Sequence, residues 1–370
     1  LISDLYINLL SHQFVNLFQN SMCEEAINIC WRAPSNIALI KYWGKRDHQL
    51  PDNGSLSITL EHSSTTTALS FRKKKSRDKR ICLKYYFQDE QHLEFEKKID
   101  RLLIDLCPEM PFLTDYELIF HSDNNFPHST GIASSASSMA ALALCLVTME
   151  ELVNQKKLTK DDFFRRASSI ARLGSGSASR SVFGGVVTWG NIPSVDHSSD
   201  EYATPFPLPQ ESRFNQLRDI ILIVSTKEKT VSSTSGHALM NNHPYREGRK
   251  AQANSNLCKM IEALRTDDYQ SIAAIAENEA LSLHALLMSS SPDGLLLNAN
   301  TLHLIEEIKR FRTKTAVNLF FTIDAGPNLH LMYFEDQRES VLPFVQKSLL
   351  PFCEDGQWID DKIGSGPVKL

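Results

Sequence analysis

The run from Ala136 to Val147, ASSMAALALCLV, is the longest apolar stretch in the chain. A helix this apolar all round belongs in a core, and the run falls short of the ~20 residues that cross a bilayer. It therefore reads as a buried helix, which requires further layers packed around it. At 370 residues the chain is long enough for two domains, or for one α/β domain with two lobes. A composition of 42% hydrophobic and 22% charged residues supplies the sizeable core such a helix demands.

The pattern around the run alternates in character. From about residue 29 to 88 it is β-rich. Ser55 to Leu60 alternates small polar and apolar residues, as a half-buried strand does. Thr65 to Phe71 and Ile81 to Phe87 flank the basic run Arg72 to Arg80, which is expected to form a solvated hairpin tip. Helical periodicity predicts helices over 97–106, 134–152, 160–173, 246–264, 269–287 and 300–312. Strands are expected over 116–121, 185–189, 220–225, 318–323 and 330–334. Strands first, then helices mixed with strands, predict an α+β protein of two lobes. The Pro/Ser-rich segment 191–212 marks a boundary, giving an extension over 1–28, an N-terminal domain over 29–200 and a C-terminal domain over 201–370.

A net charge of −5 argues against non-specific nucleic-acid binding but leaves room for a local anion pocket. The seven cysteines are scattered and form no CxxC pair, which fits free thiols in a reducing compartment rather than a disulfide framework or zinc site. The expectation is a cytoplasmic protein with neither a nucleic-acid nor a membrane partner.

Four segments hold the residues from which a site could be built. Pro127 to Ser137, PHSTGIASSAS, places Gly131, Ala133, Ser134, Ser135 and Ser137 ahead of the apolar helix. A helix N-terminus presents unpaired N–H donors and partial positive charge, so this is either a phosphate cradle or an ordinary serine N-cap. It is not a Walker A loop, because no Gly-Lys-Ser/Thr follows the glycine. Gly174 to Ser181, GSGSASRS, contains Ser175, Gly176 and Ser177 and adds Arg180, a bidentate donor suited to carboxylate or phosphate; the alternative is a helix C-cap with a surface arginine. In Ala33 to Arg46, Asn36 precedes Lys41-Tyr42-Trp43-Gly44-Lys45, a cationic cluster for an anionic substrate or a pair of surface lysines. Thr322 to Asn328 delivers Asp324 from an apolar strand into an Ala-Gly-Pro turn. There it orients or deprotonates a hydroxyl, or else hydrogen-bonds its own turn.

Taken together, NIALIKYWGKRD, NNFPHSTGIASSAS, GSGSASRSVFGG and DAGPN resemble the mevalonate diphosphate decarboxylases of the GHMP kinase superfamily. The likeness runs in family order over residues 32 to 334, with VSST (Val231 to Thr234) and His284 also in place. It implies a two-lobe GHMP fold: a ribosomal-protein-S5-like N-terminal lobe, a ferredoxin-like C-terminal lobe, and the active site in the cleft between them. It further implies ATP-dependent decarboxylation of mevalonate 5-diphosphate to isopentenyl diphosphate, with CO₂, ADP and phosphate released, by a homodimer using ATP and Mg²⁺. Carried over by position, Asp324 contacts the C3 hydroxyl, Arg180 holds the carboxylate with support from Asn36, and Lys41 sits near the transferring phosphoryl group. Tyr42, Trp43, Gly44, Lys45, Ser175, Gly176 and Ser177 belong to the substrate site, with Ser233 and Thr234 beside them and Lys98 where relatives carry an arginine. Pro127, Gly131, Ala133, Ser134, Ser135 and Ser137 fall to ATP, Ser135 also to Mg²⁺ through the phosphates. The chain departs from the family pattern at Gly54, where many relatives have serine, and in PHSTG, where PTAAG is commoner. Rival readings are a decarboxylase acting on the monophosphate, a mevalonate 3-kinase, and a catalytically idle binding protein. Retention of Asp324, Lys41 and Arg180 speaks against the last two.

Overall fold

A computed structural model describes residues 26–126, 134–227, 233–290 and 294–370. The expected extension therefore lies almost wholly outside the described residues. Two sheets organise the rest. The first holds β1 (Ile27–Ile40), β2 (Ser55–Lys73), β3 (Cys82–Phe87), β4 (Glu90–Gln91), β5 (Tyr116–Asn124), β6 (Val186–Trp189), β7 (Ala203–Phe206) and β12 (Val368–Lys369). The second, in the order β11-β8-β10-β9, holds β8 (Leu217–Leu222), β9 (Leu319–Ile323), β10 (Leu329–Phe334) and β11 (Trp358–Lys362).

The long strand β2 is the spine of the first sheet. It pairs with β1 along one edge; on the other, its first residues pair with β6 and its last with β5. Pro34 cannot donate to a ladder, and the β1–β2 register shifts just after it, between Pro34 and Asn36. Two pieces from beyond residue 200, β7 and β12, join this first sheet, so the chain returns to its N-terminal lobe at its end. The basic run is a solvated loop but not a hairpin tip. The strand β3 runs parallel to β5, and β5 lies between β2 and β3, so the run bridges non-adjacent strands.

Helices α1 (Leu93–Leu106), α2 (Ser134–Asn154) and α3 (Lys160–Gly174) complete the first lobe's core. The first begins four residues ahead of its expected start because His92 caps it, accepting from Phe95 N at 3.2 Å. Thr159 caps α3 by accepting from Asp162 N, with Asp161 and Asp162 favouring the positive end of the dipole. By length and composition α2 is long and apolar enough to cross a membrane, more than the run read from sequence. Every residue from Ala136 to Met149 is nonetheless buried, in the core beneath β1 and β2.

The second sheet is covered on both faces. Helices α5 (Arg246–Arg265) and α6 (Tyr269–Met288) share a core with one face, with the last residues of β1 and with the first residues of β2. On the other face lie α7 (Ala299–Thr315) and α8 (Arg338–Phe344). A short helix, α4 (Ser233–Leu239), packs beside α6. Gly54 allows α5 its close approach, since a Cβ there would stand 2.5 Å from the Leu257 side chain. This is the two-lobe α+β architecture expected from the sequence.

Candidate active site

The strand β2 carries the first surprise. Ser55 to Leu60 is not half-buried but buried on both faces. Leu56, Ile58 and Leu60 enter the shared core, while Ser55 and Ser57 turn toward a guanidinium. Arg180, in the 3₁₀ segment Gly176–Val182, is only 2% exposed. Its Nε donates to Ser57 Oγ at 3.0 Å and Asn36 Oδ1 at 3.4 Å, and its Nη1 to Ser55 Oγ at 2.8 Å. The rings of Tyr42 and Trp189 lie 5.6 and 5.7 Å from its central carbon. Asn36 is fixed in turn, donating to Ser181 Oγ at 2.8 Å and Ser177 O at 3.2 Å. No carboxylate pairs with Arg180 among the described residues, and burial pushes its pKa down. A buried cation that no carboxylate bonds directly, and that feels Asp324 only through space, is a site prepared for an anion.

Lys41 leaves β1 at the same place. Its ammonium donates to Asp324 Oδ1 at 2.6 Å and to Ala38 O at 2.7 Å. Burial lowers the Lys41 pKa, against which Asp324 and Glu279 pull upward. Asp324 follows β9 directly, and His284 on α6 meets its carbonyl through Nε2 at 3.1 Å. The C-terminal lobe thus supplies the carboxylate, and the N-terminal lobe both cations.

Two family descriptions match this chain: "Diphosphomevalonate decarboxylase-like N-terminal domain" over residues 33–201 and "Mevalonate 5-diphosphate decarboxylase C-terminal domain" over 219–364. The chain belongs to the diphosphomevalonate decarboxylase family. The diphosphomevalonate decarboxylase of Candida albicans is 30% identical over 328 residues, 85% of this chain and 86% of that one. The mevalonate diphosphate decarboxylase of Staphylococcus aureus superposes with a TM-score of 0.79 at 28% identity, covering 94% of this chain and 99% of that one. The structure of MDDEF in complex with MVAPP, AMPPCP and magnesium gives 0.78 at 28% identity, covering 93% and 99%.

The other residues expected from this family resemblance divide into three groups. Tyr42 lies beside Arg180 with Gly176 against its ring, Ser177 is joined to Arg180 through Asn36, and Trp43 and Gly44 follow Tyr42 in the chain as Ser175 precedes Gly176. A Cβ on Gly176 would stand 2.6 Å from the Tyr42 hydroxyl, so only glycine lets that ring approach. Burial raises the Tyr42 phenol to about 12, keeping it a neutral donor. Ser175 and Ser177 are half-buried, and their hydroxyls have no partner among the described residues. Lys45 reaches Gln49 at 2.7 Å. Lys98 on α1 is exposed. Desolvation and then the charge of Lys45 push its ammonium down to about 8.

In the second group, Ser134 and Ser135 open α2 with half-buried hydroxyls. Ser137 does not face outward with them. Fully buried, it is held by Thr65 Oγ1 at 2.6 Å and Ser134 O at 3.2 Å, and it braces the first turn. In the third, Pro127, Gly131 and Ala133 lie outside the described residues, as do the side chains of Ser233 and Thr234 at the start of α4.

Four site residues escaped the sequence reading. Ser55 and Ser57 were legible only as an alternation, which reads equally well as solvent exposure. Glu279 and Arg249 form a fully buried pair, bonded at 2.7 and 2.5 Å. Glu279 Oε2 also accepts from Lys41 N at 2.9 Å, and Arg249 donates to Lys41 O at 3.2 Å. Two glutamates, Glu277 and Glu279, in the otherwise apolar stretch AAIAENEALSLHALL were the available signal.

Proposed function

We propose that this protein decarboxylates mevalonate 5-diphosphate to isopentenyl diphosphate at the expense of ATP, releasing CO₂, ADP and phosphate. The observation that carries the reading is the Lys41–Asp324 pair beside Arg180, a buried arginine that no carboxylate bonds directly. A tertiary alcohol leaves poorly, so the C3 hydroxyl is first phosphorylated. Asp324 orients that hydroxyl and accepts its proton, and Lys41 offsets charge on the transferring phosphoryl group. Arg180 has spent Nε and one N–H of Nη1 on protein oxygens, so Nη2 and the second N–H of Nη1 are left for the substrate carboxylate. Held there in a dry pocket, the carboxylate leaves as neutral CO₂ as the phosphate departs, and its electrons form the double bond.

Ser134 and Ser135, half-buried at the start of a 21-residue helix, suit a nucleotide's phosphates. No cluster of three or more His, Cys, Asp or Glu that could hold a metal occurs among the described residues, so Mg²⁺ would be held largely through phosphate oxygens, with Ser135 beside them. Bound there, the ion neutralises phosphate charge. Two cations, Lys45 and Lys98, close enough to perturb one another favour the diphosphate over the monophosphate. The six described cysteines are free thiols, in keeping with a cytoplasmic enzyme, and the homodimer rests on the family resemblance.

The test is an ATP-coupled assay with mevalonate 5-phosphate and 5-diphosphate, following ADP, phosphate and CO₂ together. Equal yields of all three from the diphosphate are expected. ADP without CO₂ would make the enzyme a kinase, and turnover of neither compound would overturn the reading.

A further inference from the structure

His237 has no role in the chemistry above, yet it touches three consecutive residues of the substrate segment. Its ring lies 4.5 Å from that of Tyr42 and 4.6 Å from that of Trp43, tilted by 31° and 33°. Its Nδ1 accepts the buried N–H of Gly44 at 3.1 Å. Gly236 makes the approach possible, since a Cβ there would stand 2.6 Å from the Trp43 ring. Gly44 itself has φ +102°, and a Cβ on it would strike Asp52 at 2.6 Å. The Tyr42–Lys45 segment therefore has a conformation that its own residue preferences do not enforce.

The hydrogen bond decides the protonation state. A ring nitrogen that accepts carries no proton, so the hydrogen is on Nε2 and the imidazole is neutral. Burial, with Lys45 and Arg180 nearby, pushes its pKa down to about 3, so the acceptor survives throughout the neutral range. Nothing else among the described residues accepts from Gly44 N.

We propose that His237 is a positioning residue for the phosphorylated substrate: from α4 it fixes the Tyr42–Lys45 backbone and thereby sets Tyr42 and Lys45 against the diphosphate. This rests on reading those two residues as diphosphate ligands. Two substitutions separate the acceptor from the ring. His237→Phe keeps an aromatic body and deletes the acceptor; His237→Asn places an amide oxygen near the Nδ1 position.

Steady-state kinetics are read with amide hydrogen exchange over Tyr42–Lys45. His237→Phe is expected to raise KM for mevalonate 5-diphosphate ~10-fold, with kcat within ~3-fold and KM for ATP within ~2-fold, and to speed exchange. His237→Asn returns both the substrate KM and the exchange to within ~3-fold of the wild type. A wild-type KM in His237→Phe would overturn the proposal. So would equal damage to both KM values and kcat, or failure of a natively folded His237→Asn to rescue. If the wild type turned over neither phosphorylated mevalonate, the functional reading would fall instead, and the exchange comparison would still decide whether His237 holds Gly44.

Discussion

Arg180 enters the interior with three neutral oxygens and two aromatic faces around it. Desolvating a guanidinium on those terms is costly unless a ligand carboxylate completes the pair. Arg180→Gln and Asp324→Asn are accordingly expected to lose at least ~10²-fold in turnover while remaining folded. Near-normal turnover in Asp324→Asn would remove it as the base. Lys98 supplies a pH test. Burial first, then Lys45, hold its ammonium at about 8, so its charge is complete below that value and lost as pH rises through it. KM for the diphosphate substrate should therefore climb above pH 8 with kcat unaffected, and the climb should vanish in Lys98→Met. An identical pH profile in that variant would take Lys98 out of the site. These residues were legible as types, because Arg, Lys and Asp in Gly- and Ser-rich contexts already suggest anion chemistry. Their pairings were not, since Lys41 and Asp324 are far apart in the chain.

Helices α5 and α6 act on the site through one buried ion pair. Glu279 accepts from Arg249, Asn256 and the backbone of Lys41, so the end of β1 is tied to two helices at once. Arg249→Ala leaves Glu279 buried without its cation and is expected to cost about 3–5 kcal/mol in urea unfolding. An unchanged midpoint would show that the remaining donors suffice. Element boundaries were readable where periodicity was strong, as in α3, whose cap Thr159 and acidic first turn follow the usual pattern. They failed where the cap was unusual, as at His92. The face of β2 was misread for a different reason. Alternating serines look the same whether they meet water or a buried guanidinium, and only the neighbouring chain decides which.

Between the lobes, Asp361 joins one sheet to the other. It lies on β11, fully buried, and accepts from Glu61, His62 and Ser63 N at 3.0, 2.8 and 2.8 Å. Those three residues sit midway along β2, between its pairing with β6 and its pairing with β5. Asp361→Ala strands three backbone donors at the lobe interface. A loss of about 3 kcal/mol in urea unfolding is expected, with faster limited proteolysis near residue 61. Wild-type stability and cleavage would show that the lobes are held by their shared apolar core alone.

The amino-acid sequence by itself determined the buried helix behind the serine-rich loop, the two-lobe α+β class, and the residue types of an anion site, because these follow from local periodicity, capping and composition. Its family resemblance supplied the reaction. Only the tertiary structure decided that Ser137 braces a turn while Ser55 and Ser57 hold Arg180, that β7 and β12 return to the first sheet, and that His237 reaches Gly44. Each of those facts depends on which distant segments share a boundary once the apolar surfaces are buried. Hydrogen bonds across such a boundary are set by three-dimensional proximity, for which a linear pattern holds no local signal.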